Sequence, residues 1–76
     1  MMVELVEYIA KSLASKPEDV KVTAETEEDR ILLKLEVAPE DKGKIIGREG
    51  RVAQAMRTLL RVAAIKDGSR VTLEII

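Results

Sequence analysis

Ile45-Ile46-Gly47-Arg48-Glu49-Gly50-Arg51 is the stretch of this 76-residue chain whose residue types and spacing suit contact with a ligand. Gly47 and Gly50 stand three apart, and neither carries a Cβ, so the backbone can turn sharply and come close to something bulky. Arg48 and Arg51 point to a phosphate as that bulky group. A helix beginning just after the second glycine adds free backbone N–H groups and a partial positive end, which favour an anion.

Covalent chemistry has no comparable support. The chain contains neither His nor Cys, so the commonest general base and the commonest activated nucleophile pairs are missing. Ser12, Ser15 and Ser69 have no evident base nearby in sequence. The acidic pairs Glu18-Asp19 and Glu27-Glu28-Asp29 fall in turn-like segments and read as solvated loops. No Asp-rich loop of the calcium-binding type is present. The expectation is a protein that is not an enzyme and needs no metal or cofactor.

Charge supports the anion reading through its distribution. The net charge is −1, which alone argues against a polyanion partner. Residues 1–41, however, hold 5 Lys/Arg and 11 Asp/Glu, whereas residues 42–76 hold 8 and 3. The basic half contains the glycine step, and local field rather than net charge draws a polyanion.

The elements that must position this loop follow from periodicity. Met2, Leu5, Ile9 and Leu13, with Val6 beside them, predict an amphipathic helix over 2–14, ended by Lys16-Pro17. Val20, Val22 and Ala24 alternate with polar residues and predict a half-buried strand. Thr26 to Asp29 is the expected turn, and Ile31, Leu33, Leu35 and Val37 predict a second strand closing a hairpin. Pro39-Glu40-Asp41 opens a short helix that stops at Gly47. A longer helix runs from Gly50 to about Lys66 and is closed by Asp67-Gly68, before a last strand at Val71, Leu73 and Ile75. Two helices joining the second and third strands make those strands parallel neighbours with a right-handed crossover. The fold class is therefore α+β, α-β-β-α-α-β, a three-stranded mixed sheet with three helices on one face.

The long helix carries more apolar surface than one sheet needs. At 100° per residue, its apolar side chains from Val52 to Ala64 span an arc of about 200°, against a stripe somewhat over 100° for a helix lying on one layer. A chain this short buries only about 60% of its unfolded surface, and without Cys or His it lacks disulfide and metal reinforcement. A partner interface at Leu59, Leu60 and Ala63 is expected to supply it.

Other features bound the setting. Glu4, Glu7 and Lys11 interrupt the apolar positions of residues 1–14, so no signal-peptide core is expected. No apolar run approaches a membrane span. The lack of Cys fits a reducing cytoplasm. Charged residues make up 36% of a chain with no Asn and a single Gln, the profile of a heat-adapted protein.

Taken together, the element order, the Ile45-Ile46 pair and the Gly47-Arg48-Glu49-Gly50 loop between two helices resemble a K-homology (KH) domain of the type II arrangement. The length, the opening Glu4-Leu5-Val6-Glu7-Tyr8-Ile9-Ala10-Lys11 and the segment Val37-Ala38-Pro39-Glu40-Asp41 are similar to the small stand-alone bacterial KH proteins of the KhpA type. The resemblance covers the whole chain and implies one KH domain over 1–76, with its core motif at about 29–76. It also implies clamping of about four nucleotides of single-stranded RNA. On that reading Arg48 contacts phosphate, Lys44 and Arg51 flank it, and Gly47 and Gly50 admit the backbone. Ile46 either lines the groove under the bases or belongs to the core with Ile45, and Gln54 either reaches a base edge or nothing. Glu49 opposes the phosphate unless it points outward or makes a helix-start contact. The only aromatic is Tyr8, which disfavours folds that stack bases on several rings. The resemblance further implies an RNA chaperone or post-transcriptional regulator in the cytoplasm. Such a protein would self-associate, or pair with a KhpB/Jag-like KH protein, in cell elongation and division. The alternative is a dimerisation module that keeps a KH shape and binds little RNA.

Overall fold

The structure, a computed structural model, describes residues 2–76. Helix α1 spans Met2–Leu13 and is followed by a 3-10 turn at Pro17–Asp19. Strands β1 (Lys21–Glu27) and β2 (Arg30–Glu36) form an antiparallel hairpin. A 3-10 turn at Pro39–Asp41 leads into the short helix α2 (Lys42–Ile46). A further 3-10 turn, Arg48–Gly50, precedes α3 (Arg51–Asp67), and β3 (Arg70–Ile75) ends the order. The sheet order is β1-β2-β3, with β2 and β3 parallel.

Alternation assigns the faces. Leu33, Leu35 and Leu73 are buried while Arg30, Glu36, Arg70, Thr72 and Glu74 are exposed, so one face of the sheet is dry. Val6 and Ala10 of α1, Ile45 of α2, and Met56 and Leu60 of α3 complete the core against that face. All three helices thus lie on one side, as the apolar patterning requires.

Three local details differ from the expected pattern. In α1 the core positions are Val6 and Ala10, with Met2, Leu5 and Ile9 packed beside them, whereas Leu13 is exposed. In β1 only Val22 is half-buried, with Val20 buried just before the strand and Ala24 exposed. Burial falls toward the turn because the hairpin tip reaches past the helical layer. The hairpin turn itself is tighter than a four-residue loop, since pairing continues to Glu27↔Arg30. Closing it with two residues places Glu28 at a left-handed φ of 53°, a conformation that costs a non-glycine residue about 1–2 kcal/mol.

Asp41 has a role that its position in an acidic helix start did not suggest. Its side chain is fully buried and does not cap α2. Instead its carboxylate accepts the backbone N–H of Lys16 at 2.9 Å and of Ser15 at 3.0 Å. Those two hydrogen bonds, Lys16 first, hold its pKa below the ordinary aspartate value. One buried carboxylate therefore ties the exit of α1 to the base of α2, the helix that carries the glycine loop.

Candidate nucleic-acid interface

The site begins with the unequal pair Ile45-Ile46. Ile45 is wholly buried and pins α2 to the core, while Ile46 is 39% exposed and faces an open groove. The residue following the buried anchor is left at the surface because successive helical side chains diverge by about 100°.

Gly47 ends α2, donating its N–H to the Gly43 carbonyl at 2.9 Å. Its φ of 81° with ψ of 170° lies outside the ordinary range for residues bearing a side chain. A Cβ there would also meet Val52 Cγ2 at 2.5 Å and Val52 N at 2.9 Å. Gly47 is therefore required twice, by its backbone conformation and by the close approach of α3. Gly50 has φ of 74° in the left-handed region, with open space around the position of its missing Cβ. Between them Glu49 is held at φ 57°, ψ 25°. The four residues Gly47–Gly50 form one tight turn, closed by the Gly50 N–H on the Gly47 carbonyl at 3.1 Å.

Gly50 hands the chain to a 17-residue helix whose first N–H groups receive no side-chain cap. The positive end of the helix dipole faces the loop, although the Arg51 N–H itself donates to the Arg48 carbonyl. Arg51 flanks this end, and Arg48 stands exposed at the tip without an ion pair among the described residues. The repulsion expected from Glu49 is offset locally by its contact with Arg51, Oε2 to Nη2 at 3.5 Å. Both side chains are well exposed, so this pair contributes little to stability.

Beside the loop runs a groove of about 490 Å³. Ile46, Ala53 and Ile75 give it an aliphatic floor, and Glu49, Arg51, Gln54 and Arg57 form its polar rim. A flat apolar floor under a cationic rim suits the faces of unstacked bases with their phosphates turned to the edge.

The structure brings Ile46, Glu49, Gly50, Arg51 and Gln54 together at this groove. Gly47 and Arg48 belong to the turn above it. Lys44 lies elsewhere: its ammonium donates to Ser15 Oγ and so faces the loop after α1. Three lining residues, Ala53, Arg57 and Ile75, were missed in the sequence. Arg57 follows Gln54 by three and shares its side of α3, a helical spacing that could have pointed to it. Its guanidinium also reaches the Leu73 carbonyl at 3.4 Å. Ile75 arrives only through the parallel pairing of β3 with β2, opposite Leu35.

A second surface lies further along α3. Leu59 and Val62 are 50% and 53% exposed, and with Ala63 and Met2 they border an apolar depression of about 570 Å³. Leu60, expected on this face, is instead 1% exposed and belongs to the core. The correction is geometric: Leu60 lies 100° around the helix from Leu59, on the side that Met56 and Ala64 share beneath the sheet.

This element order, with a Gly-x-x-Gly loop between two helices under a three-stranded mixed sheet, is that of a KH domain in its type II arrangement. Residues 3–75 match the family described as KhpA/KhpB, KH domain, and the chain belongs to that family. A relative named RNA-binding protein KhpA from Clostridium perfringens is 56% identical over 75 residues, covering 99% of this chain and all of the relative. A protein of the same name from Borreliella burgdorferi is 49% identical over 74 residues, covering 97% and 90%. Among solved structures, Era in complex with MgGDPNP and nucleotides 1506–1542 of 16S ribosomal RNA matches with a TM-score of 0.54 at 21% identity. That match covers 97% of this chain and 28% of the other, so this chain spans just over a quarter of that protein, and the likeness is one of fold.

Proposed function

We propose that this protein binds single-stranded RNA through the Gly47–Gly50 turn and the adjoining groove, without catalysis. The observation that carries the reading is the coincidence of three features at one place. A turn without side-chain bulk, the uncapped start of α3, and an aliphatic groove rimmed by Arg51, Gln54 and Arg57 adjoin one another. Relatives named RNA-binding proteins over the full length support it. We propose low sequence specificity, with Gln54 as the uncharged rim side chain placed to reach a base edge. Lys44 acts at most as a distant charge.

Titration with short unpaired oligonucleotides, followed by amide resonances, tests the proposal. Resonances of residues 46–54 should shift, and changing Arg48 and Glu49 both to Asp should abolish RNA retention. Unmoved resonances around the turn would overturn the reading.

Cellular role follows as part of the same proposal: an RNA chaperone or post-transcriptional regulator in the cytoplasm, paired with itself or with a KhpB/Jag-like KH protein, in control of cell elongation and division. The exposed Leu59 and Val62 favour an interface on α3, with Ala63 at its centre and Met2 beside it. Leu59→Glu should shift sedimentation to the monomer while leaving the fold intact. A wild-type protein that stays monomeric at high concentration would remove the self-association.

A further inference from the structure

The groove does not end at Arg57. Arg57 also borders a second depression between α3 and β3, which includes Arg61 and Thr72. Arg61 and Thr72 in turn border a third, of about 340 Å³, at the start of β3. These depressions succeed one another along α3 and β3 as a track from the glycine turn, with the Arg57 side chain, hydrogen-bonded to the Leu73 carbonyl, between the first two, and α3 alone rises about 15 Å between Arg51 and Arg61.

The far end of this track gathers three arginines from three elements. Arg30 opens β2, Arg61 lies on α3 and Arg70 opens β3, and all three line the third depression together with Ser69 and Thr72. Arg30 and Arg70 are direct partners in the parallel register, so two like charges stand side by side on one face of the sheet. Such an arrangement is unfavourable unless something compensates it. No ion pair among the described residues does so, although Glu27, Glu28 and Asp29 stand near Arg30. Among the described residues, ion pairs are made by Lys11, Lys16, Lys34 and Arg51, and none by Arg30, Arg61 or Arg70. Glu27 is the register partner of Arg30 across the hairpin, but their side chains make no ion pair. With Glu28, Asp29 and Arg30, Glu27 lines a separate, acidic depression at the hairpin tip.

We infer that Arg30, Arg61 and Arg70 form a second phosphate-binding site at the end of the groove remote from the glycine turn. This site extends the RNA footprint beyond the roughly four nucleotides that the turn clamps. The inference rests on the RNA-binding reading above. Guanidinium groups suit the task, presenting fixed forks of donors to phosphate oxygens. The strand would enter at the turn, follow the track and reach the arginines, and the acidic hairpin tip would repel it from going further.

Salt dependence of binding, measured by fluorescence anisotropy with labelled oligouridylates of four and eight nucleotides, separates this from simple lengthening. Statistical gain from extra registers raises affinity without changing the salt slope, whereas each added phosphate contact steepens it by about 0.7 for a single strand. The octamer slope should exceed the tetramer slope by about 0.7–1.4, for one or two extra contacts. R61A/R70A should bring the octamer slope down to the tetramer value and leave tetramer binding unchanged. R61K/R70K should keep most of the difference, because the charge remains. Equal slopes for the two lengths in the wild type would overturn the inference while leaving the clamp in place. So would a loss in R61A/R70A that falls equally on both lengths. If R48D/E49D leaves tetramer binding intact, the clamp reading falls, and this inference with it. Arg61 and Arg70 are exposed, so circular dichroism should show the double variants folded as the wild type.

Discussion

Two tight turns in this molecule hold a glutamate in left-handed backbone, Glu28 at φ 53° and Glu49 at φ 57°, yet only one has the makings of a binding site. The Glu28 turn joins two strands, lies among Glu27, Asp29 and Arg30, and leaves no helix start open behind it. The Glu49 turn sits between two glycines, delivers the chain to an uncapped 17-residue helix, and stands between Arg48 and Arg51. Unusual backbone geometry is thus common to both and diagnostic of neither. The difference lies in what the turn delivers. A helix start without a side-chain cap and cations collect at one, and carboxylates collect at the other.

The largest effect on stability should come from Gly47. Gly47→Ala adds a side chain where Val52 already stands 2.5 Å away and where φ is 81°. Strain and overpacking together should cost about 2–4 kcal/mol, read as a drop in thermal midpoint. Gly50→Ala meets no neighbour and should cost only the left-handed penalty of about 1–2 kcal/mol. Equal losses at the two glycines would contradict the division of labour within the turn.

Next in size is the effect on RNA. R48D/E49D should lower affinity for single-stranded RNA more than tenfold, about 1.4 kcal/mol, with little change in stability. The matching test at the other turn, Asp29→Arg, should leave binding by the glycine turn unchanged when a tetramer is the probe.

Acid should act through the tie beneath the glycine turn rather than through either turn itself. The folded-state pKa of Asp41 is depressed by its hydrogen bonds from Lys16 and Ser15. Its stabilisation is therefore complete above the unfolded-state value, near pH 4, and is lost as pH falls through the lower folded-state value. Below about pH 4 the thermal midpoint of the wild type should fall more steeply than that of Asp41→Asn, which starts lower at pH 7. Parallel curves would show that the carboxylate does not carry the tie.

The smallest expected change is a gain. Glu28→Gly should stabilise by about 1 kcal/mol through relief of the left-handed penalty and leave RNA affinity unaltered. Glu49→Gly should give a similar gain together with tighter binding, because a carboxylate leaves the phosphate path. A pair of variants that behaves alike in both assays would break the comparison.

The elements were legible where the local pattern was strong. Alternation in Ile31-Leu32-Leu33-Lys34-Leu35 and the proline, acid and glycine signals around α2 and α3 fall where the structure has those elements. The glycine turn and Ile46, Gly50, Arg51 and Gln54 were legible as a group, because they are close in sequence. Arg57 and Ile75 were not, since their places on the groove depend on how α3 packs and on the register of β3. The contact of Lys44 with Ser15, 29 residues away, was not legible for the same reason.

What the chain order alone determined is what short-range physics controls: where backbone must turn, which faces are apolar, and that cations gather after residue 41. Packing decided the rest. It divided the broad apolar arc of α3 into a core side holding Leu60 and an open side holding Leu59. It turned Asp41 from a helix-start acid into a buried tie. It also set Arg30 beside Arg70, 40 residues apart in sequence but paired across two strands. Periodicity reports the direction of a side chain on its own element, and only the neighbouring layer determines whether that direction meets core, solvent or another charge.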